Sequence, residues 1–337
     1  MAKLPNQVPG AFSLSLAMKK PVSDTHIVRV SDTDLVHLLA KTPIERKFAA
    51  VWDEGDSALT VLLTKTRVYI PGRGKIAVYG IETKQVIREI TLTGDSAVSC
   101  ISQSMDEKSL FAACCDGTAR AIDLLIGKEV ILRGHTGIVT CIIQGEGTDV
   151  LTCSWDSTIR RWNSATSECL MIYEGHTGRV NSILYDEAAK RIFSASDDAS
   201  IIAWNYETGE KIGVIEGHDD RVLSLSRVTD TAIASGSSDG TIRLWNTKTF
   251  SCIKIIYTGS VVFSITTTPD RRHLITGRGD CHVDVSSVAT GRCLHALTHH
   301  TDIVCKVAIS PDGRFIASCG TDGTFHLISV SPPFSRE

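Results

Sequence analysis

The 337-residue chain has little of what several functional classes require. It has no excess of either charge. Its 35 basic and 38 acidic residues leave a formal net charge of -3, which marks neither a nucleic acid nor a membrane as its partner. No apolar run approaches the ~20 residues that cross a bilayer, so a membrane-spanning protein is excluded. None of the eleven cysteines stands in a Cys-x-x-Cys pair, and no histidine cluster lies near one at zinc spacing. Cys141, Cys153 and Cys319 sit inside apolar strand-like runs, and Cys169, Cys252 and Cys293 recur at one repeat position. They read as small apolar fillers in a reducing compartment, the cytoplasm first and the nucleus as the alternative. Proline is missing between Pro71 and Pro269, whereas Pro5, Pro9, Pro21 and Pro43 crowd the beginning. Arginine is missing before Arg29, and Lys19-Lys20-Pro21 follow the weakly apolar Ala11 to Met18, so neither a transit nor a signal peptide is expected. With 42% apolar and 22% charged residues, the composition is that of a globular chain and excludes disorder.

What is present is a period. Asp116-Gly-Thr, Asp156-Ser-Thr, Asp198-Ala-Ser, Asp239-Gly-Thr, Asp280-Cys-His and Asp322-Gly-Thr follow one another at steps of 40, 42, 41, 41 and 42 residues. A degenerate copy, Arg73-Gly-Lys, lies 43 residues before Asp116 and brings the number of copies to seven. In each copy an alternating strand leads through a polar turn to a short apolar strand. The Asp turn and two more strands follow. Alternation with period two and closely spaced turns indicate sheets, and four strands every ~41 residues are the signature of propeller blades. The seventh copy stops at Ser331-Pro332-Pro333 without a fourth strand, while Lys47 to Trp52 is a strand-like segment without an owner. An unpaired edge invites aggregation, so this segment is expected to pair with the last blade and close the ring.

Gly134-His135, Gly175-His176 and Gly217-His218 each precede an Asp turn by about half a period, and Trp162, Trp204 and Trp245 each fall six residues after the turn Asp. This spacing resembles the WD-repeat β-propeller family over Lys47 to Val330. Asn163, Asn205 and Asn246 stand where the family often has Asp. The resemblance implies buried structural tetrads: His135, Thr152, Asp156 and Trp162; His176, Ser194, Asp198 and Trp204; His218, Ser235, Asp239 and Trp245. Elsewhere the network fades, because the Trp slot holds Tyr79, Ile122, Ser286 and Ile328. The central blades are therefore expected to be the stiffest.

The fold class expected is all-β, a seven-bladed propeller closed by an N-terminal strand. Residues 46–330 form the propeller, 331–337 a tail, and 1–45 an extension. That extension carries one short helix at about 32–40, from the capping pattern Ser31-Asp-Thr-Asp34 before Leu35, Val36, Leu38 and Leu39. A thrice-repeated Ser/Thr, His and Asp set with an indole donor reads as stapling and not as a hydrolase triad, and no Gly-x-Ser-x-Gly elbow surrounds it. Pro71-Gly-Arg-Gly-Lys75 lacks the spacing and the hydroxyl of a phosphate loop. No catalytic residue, cofactor or metal is expected. The resemblance implies that the Asp turns and Gly-His loops share one rim, the top. Trp155, Asp197 and Ser238 just before turn aspartates, with Ile138, Arg179 and Arg221 three residues after the histidines, are the candidate contacts. The reading is a non-enzymatic scaffold or adaptor, a monomeric propeller within a complex, presenting this rim to a protein or peptide. The alternatives are the substrate-recognition subunit of a ubiquitin ligase, or a small-ligand binder or enzyme at the channel mouth.

Overall fold

The computed structural model describes residues 60–330, Phe334 and the backbone of the strand Lys47–Phe48. Among these residues every regular element is a strand, and the strands form seven antiparallel four-stranded sheets. The helix expected at 32–40, residues 49–52 of the closing segment and most of the tail lie outside the described residues. Blades 1 to 6 are consecutive meanders over 62–91, 98–133, 139–173, 180–215, 222–257 and 262–297. Blade 7 takes Val304–Ile309, Phe315–Gly320 and Phe325–Ser329 from the end of the chain, and its fourth strand from the beginning. Lys47 pairs with His326 and Phe48 with Phe325, antiparallel, so the expected closure is observed.

The pattern of burial explains why these segments are strands in a ring. In the second strands of blades 2, 3, 4, 5 and 7 all five residues after the first are buried, so both faces of the sheet are covered, with small hydroxyl side chains among the apolar ones. The cover comes from the neighbouring blades. The core is divided into seven clusters, one at each joint between adjacent blades, including Val68, Ile70 and Phe325 where blade 7 meets blade 1. No blade buries its faces alone, and the ring therefore stabilises as a unit.

Candidate functional site

The turn between the second and third strands of each blade fixes the rim. Its aspartate caps the turn with its own side chain: Asp156 Oδ1 accepts from the Thr158 N–H at 2.9 Å and from the Thr158 hydroxyl at 2.7 Å. The residue after the aspartate is left-handed, with φ of 80° at Gly117 and 76° at Gly240, but also 69° at Ser157 and 65° at Ala199.

In three consecutive blades the second aspartate oxygen anchors a chain of side chains. In blade 5, His218 Nδ1 donates to Asp239 at 2.7 Å, His218 Nε2 accepts from Ser235 Oγ at 2.6 Å, and the Trp245 indole donates to that same oxygen at 2.8 Å. Blade 3 repeats the chain with His135, Asp156, Thr152 and Trp162 at 2.7, 2.8 and 2.8 Å. Blade 4 does so with His176, Asp198, Ser194 and Trp204 at 2.7, 2.7 and 2.8 Å. A carboxylate only accepts and an indole only donates, so the tautomer follows from the network. The Gly-His glycine is required by the indole. Gly217 has φ of 146°, and a Cβ there would lie 3.1 Å from the Trp245 ring.

Electrostatics agree with a sealed staple. Burial opposes the charge of Asp156 and Asp198, yet donation by the histidine and by the hydroxyl two residues on holds both carboxyls well below the usual range. At Asp239 the same balance, with Thr241 and His218 as donors, lowers the pKa to about 2. Burial pushes the His135 and His218 imidazoles down, against the pull of their carboxylates, so both rings are neutral near pH 7. Thr152, Ser194 and Ser235 are each 0% exposed, and each oxygen already receives an indole proton. No substrate atom reaches these hydroxyls, which separates the set from a hydrolase triad.

The remaining networks were legible only in part. Blade 7 keeps His300 with Asp322 at 3.0 Å and Ser318 at 2.9 Å, and His326 packs edge-on against His300 at 4.6 Å. Blade 2 has neither His nor Trp. Its Arg120, 3% exposed, bonds Glu129 at 2.8 Å and Asp116 at 3.3 Å. In blade 6, Arg278 pairs with both Asp280 and Asp284. In blades 2 and 6, where the tetrad fades, the ion pairs of a largely buried arginine take its place.

All six candidate rim residues lie on this face, and a repeated backbone bond brings them together in pairs. The Trp155 N–H donates to Ile138 O at 2.9 Å, Asp197 to Arg179 at 2.8 Å and Ser238 to Arg221 at 2.9 Å. Trp155 is 40% exposed, and the Arg179 guanidinium lies 4.0 Å from its ring centroid, so an aromatic and a cation from adjacent blades form one plate. Asp197 is turned inward by the Asn181 amide at 2.8 Å. Arg221 has the exposed Asp220 carboxylate at 3.7 Å, whereas Arg179 has no carboxylate partner among the described residues. The residue that the sequence signals less clearly is Thr158 and its counterparts Ser200 and Thr241. The Asp-x-Ser/Thr repetition carried that signal.

A closed ring of seven sheets, stapled at its turns and bearing exposed side chains on the stapled rim, defines a seven-bladed β-propeller. The family model described as WD domain, G-beta repeat matches residues 87–123, 128–163, 167–205, 209–246 and 291–329, over half of the chain. The chain belongs to the WD40 repeat family. The stretches left unmatched carry the divergent Arg73 turn and the Ser286 that replaces a tetrad Trp. Among curated proteins the chain is similar to cell division control protein 4 of Saccharomyces cerevisiae, 29% identical over 49% of this chain and 24% of that protein. Human apoptotic protease-activating factor 1 is 30% identical over 68% of this chain and 19% of its own length. The serine-threonine kinase receptor-associated protein of Gallus gallus is 26% identical over 66% and 63%. The matched stretch spans less than two thirds of each of these relatives.

Proposed function

We propose that the chain is a non-enzymatic interaction scaffold that presents its top rim to a protein or peptide partner, in the cytoplasm. The observation that carries this reading is the Trp155–Arg179 plate: a large exposed aromatic stacked by a cation that has no carboxylate partner among the described residues. Aromatic and arginine side chains of this kind dominate binding energy at interfaces, and a rigid support lowers the ordering cost of association. Ile138 supplies apolar surface beside the plate. The Ser238 hydroxyl is buried and the Asn181 amide holds the Asp197 carboxylate, so the further polar contact is Arg221, a second cation whose charge Asp220 tempers. An acidic or polar segment with an apolar anchor suits this composition. The test is co-purification from lysate with the full chain against the double variant Trp155→Ala/Arg179→Ala. We expect partner recovery to fall at least tenfold while the melting temperature stays within about 2 °C. Equal recovery by both proteins contradicts the rim assignment.

A further inference from the structure

Three of the seven blade joints carry an aromatic ring at their outer end, and another holds a cavity there instead. The same backbone bond runs from the residue after a third strand to the carbonyl before the second strand, as from Leu124 to Lys108 at 2.8 Å in blade 2 and from Tyr206 to Lys190 at 3.0 Å in blade 4. Leu124 and Tyr206 are thus equivalent. Between blades 3 and 4 the Tyr206 ring fills the joint, with Arg161 over it at 4.6 Å and its hydroxyl bonded to Asp149 at 2.8 Å. Between blades 4 and 5 Phe250 lies so close to Gly213 that a Cβ there would overlap its ring. Between blades 6 and 7 the Phe334 ring packs on His273 at 5.0 Å. By strand register, Asp149 and His273 stand where blade 1 has Arg67, and Gly213 where it has Arg88.

Between blades 1 and 2 no aromatic arrives among the described residues, and a cavity of about 180 Å³ remains, walled by Tyr69, Val78 and Ile90 and edged by Ile87, Leu124 and the two arginines. Arg88 donates to the Leu124 carbonyl at 2.6 Å, and neither arginine has a carboxylate partner among the described residues. Tyr69 is 1% exposed, and its hydroxyl is buried with no hydrogen-bond partner among the described residues. Buried hydroxyls are normally satisfied. Beside the opening, Ile87, Leu125 and Ile126 are 48%, 89% and 70% exposed.

We propose that this joint is a socket for an acidic peptide of a partner protein, which inserts one tyrosine side chain between the blades and sets a neighbouring carboxylate against Arg67 and Arg88. A cavity of about 150 Å³ already accepts benzene, so the volume suffices for one ring. The inserted ring does from outside what Tyr206, Phe250 and Phe334 do from within, and its hydroxyl gives Tyr69 the partner it lacks. Paired guanidinium and carboxylate groups fix the register of the peptide. This socket is on the side of the ring and is separate from the rim plate.

The test is fluorescence anisotropy with a labelled Glu-Asp-Tyr-Asp-Glu peptide titrated with the full chain. We expect saturable binding that weakens at least tenfold when alanine replaces the peptide tyrosine, when the protein carries Leu124→Trp, or when it carries Arg67→Glu with Arg88→Glu. Trp155→Ala/Arg179→Ala should leave it unchanged. Absence of saturable binding, equal binding of the alanine peptide, or dependence on the rim variant overturns the proposal. So does a concentration-dependent dimer in sedimentation that Leu124→Trp abolishes, because the occupant is then a second copy of the chain.

Discussion

At the scale of the residue, the tetrads concentrate stability in a few buried hydrogen bonds. Replacing Asp239 by Ala leaves the buried His218 Nδ1–H only the longer contact with the Thr241 hydroxyl at 3.3 Å and opens the Thr241 cap, and this should cost about 1–3 kcal/mol in urea unfolding. A midpoint unchanged from the parent chain contradicts the staple. The same groups set the response to acid. His135 and His218 have folded pKa values below the unfolded value, and so do Asp156, Asp198 and Asp239. The unfolded chain therefore binds more protons as pH falls, and stability drops with it. The histidine contribution is complete above about pH 6.5 and is lost as pH falls through their lower folded values; the carboxylate contribution is lost below about pH 4. A urea midpoint that declines from pH 7.5 to pH 5.5 fits this assignment, and one that holds or rises refutes neutral histidines.

At the scale of the element, each blade solves one packing problem with different side chains. In blade 2 the burial of Arg120 is compensated by Glu129, whose carboxyl burial pushes up and the guanidinium brings down below its usual range. Removing one partner of a buried pair costs roughly 3–5 kcal/mol. Glu129→Ala belongs at the lower end, because Asp116 remains 3.3 Å from the guanidinium. Arg120→Met with Glu129→Val should recover most of that loss, and a double variant as unstable as the single one contradicts the pairing. The tetrads were legible in the sequence because His, Ser or Thr, Asp and Trp recur at fixed spacing in three copies, and so was the missing fourth strand of blade 7. The Arg120–Glu129 and Arg278–Asp284 pairs were not, since each occurs once and no repetition marks it. The rim residues were legible one by one from their place in the repeat. The stacking of Arg179 on Trp155 was not, because it joins two blades across a joint. The cavity was hidden for the same reason: it forms between side chains of blades 1 and 2 that lie far apart in the sequence.

At the scale of the whole molecule, the seven core clusters lie between blades and not within them, so every blade depends on both neighbours and the ring on its closure. The opening strand Lys47–Phe48 completes blade 7 and protects the edge of Phe325–Ser329. The rim and the side socket are both built across joints, and both therefore rely on a ring that does not breathe open at that seam. The most direct measurement is equilibrium urea unfolding, followed by tryptophan fluorescence, of the full chain, of a chain lacking residues 2–44, and of one lacking residues 2–52. The account predicts one shared cooperative transition for the first two, and a broadened, low-midpoint or aggregating transition for the third. A third chain that unfolds with the same midpoint and slope as the full protein would contradict closure by the opening strand.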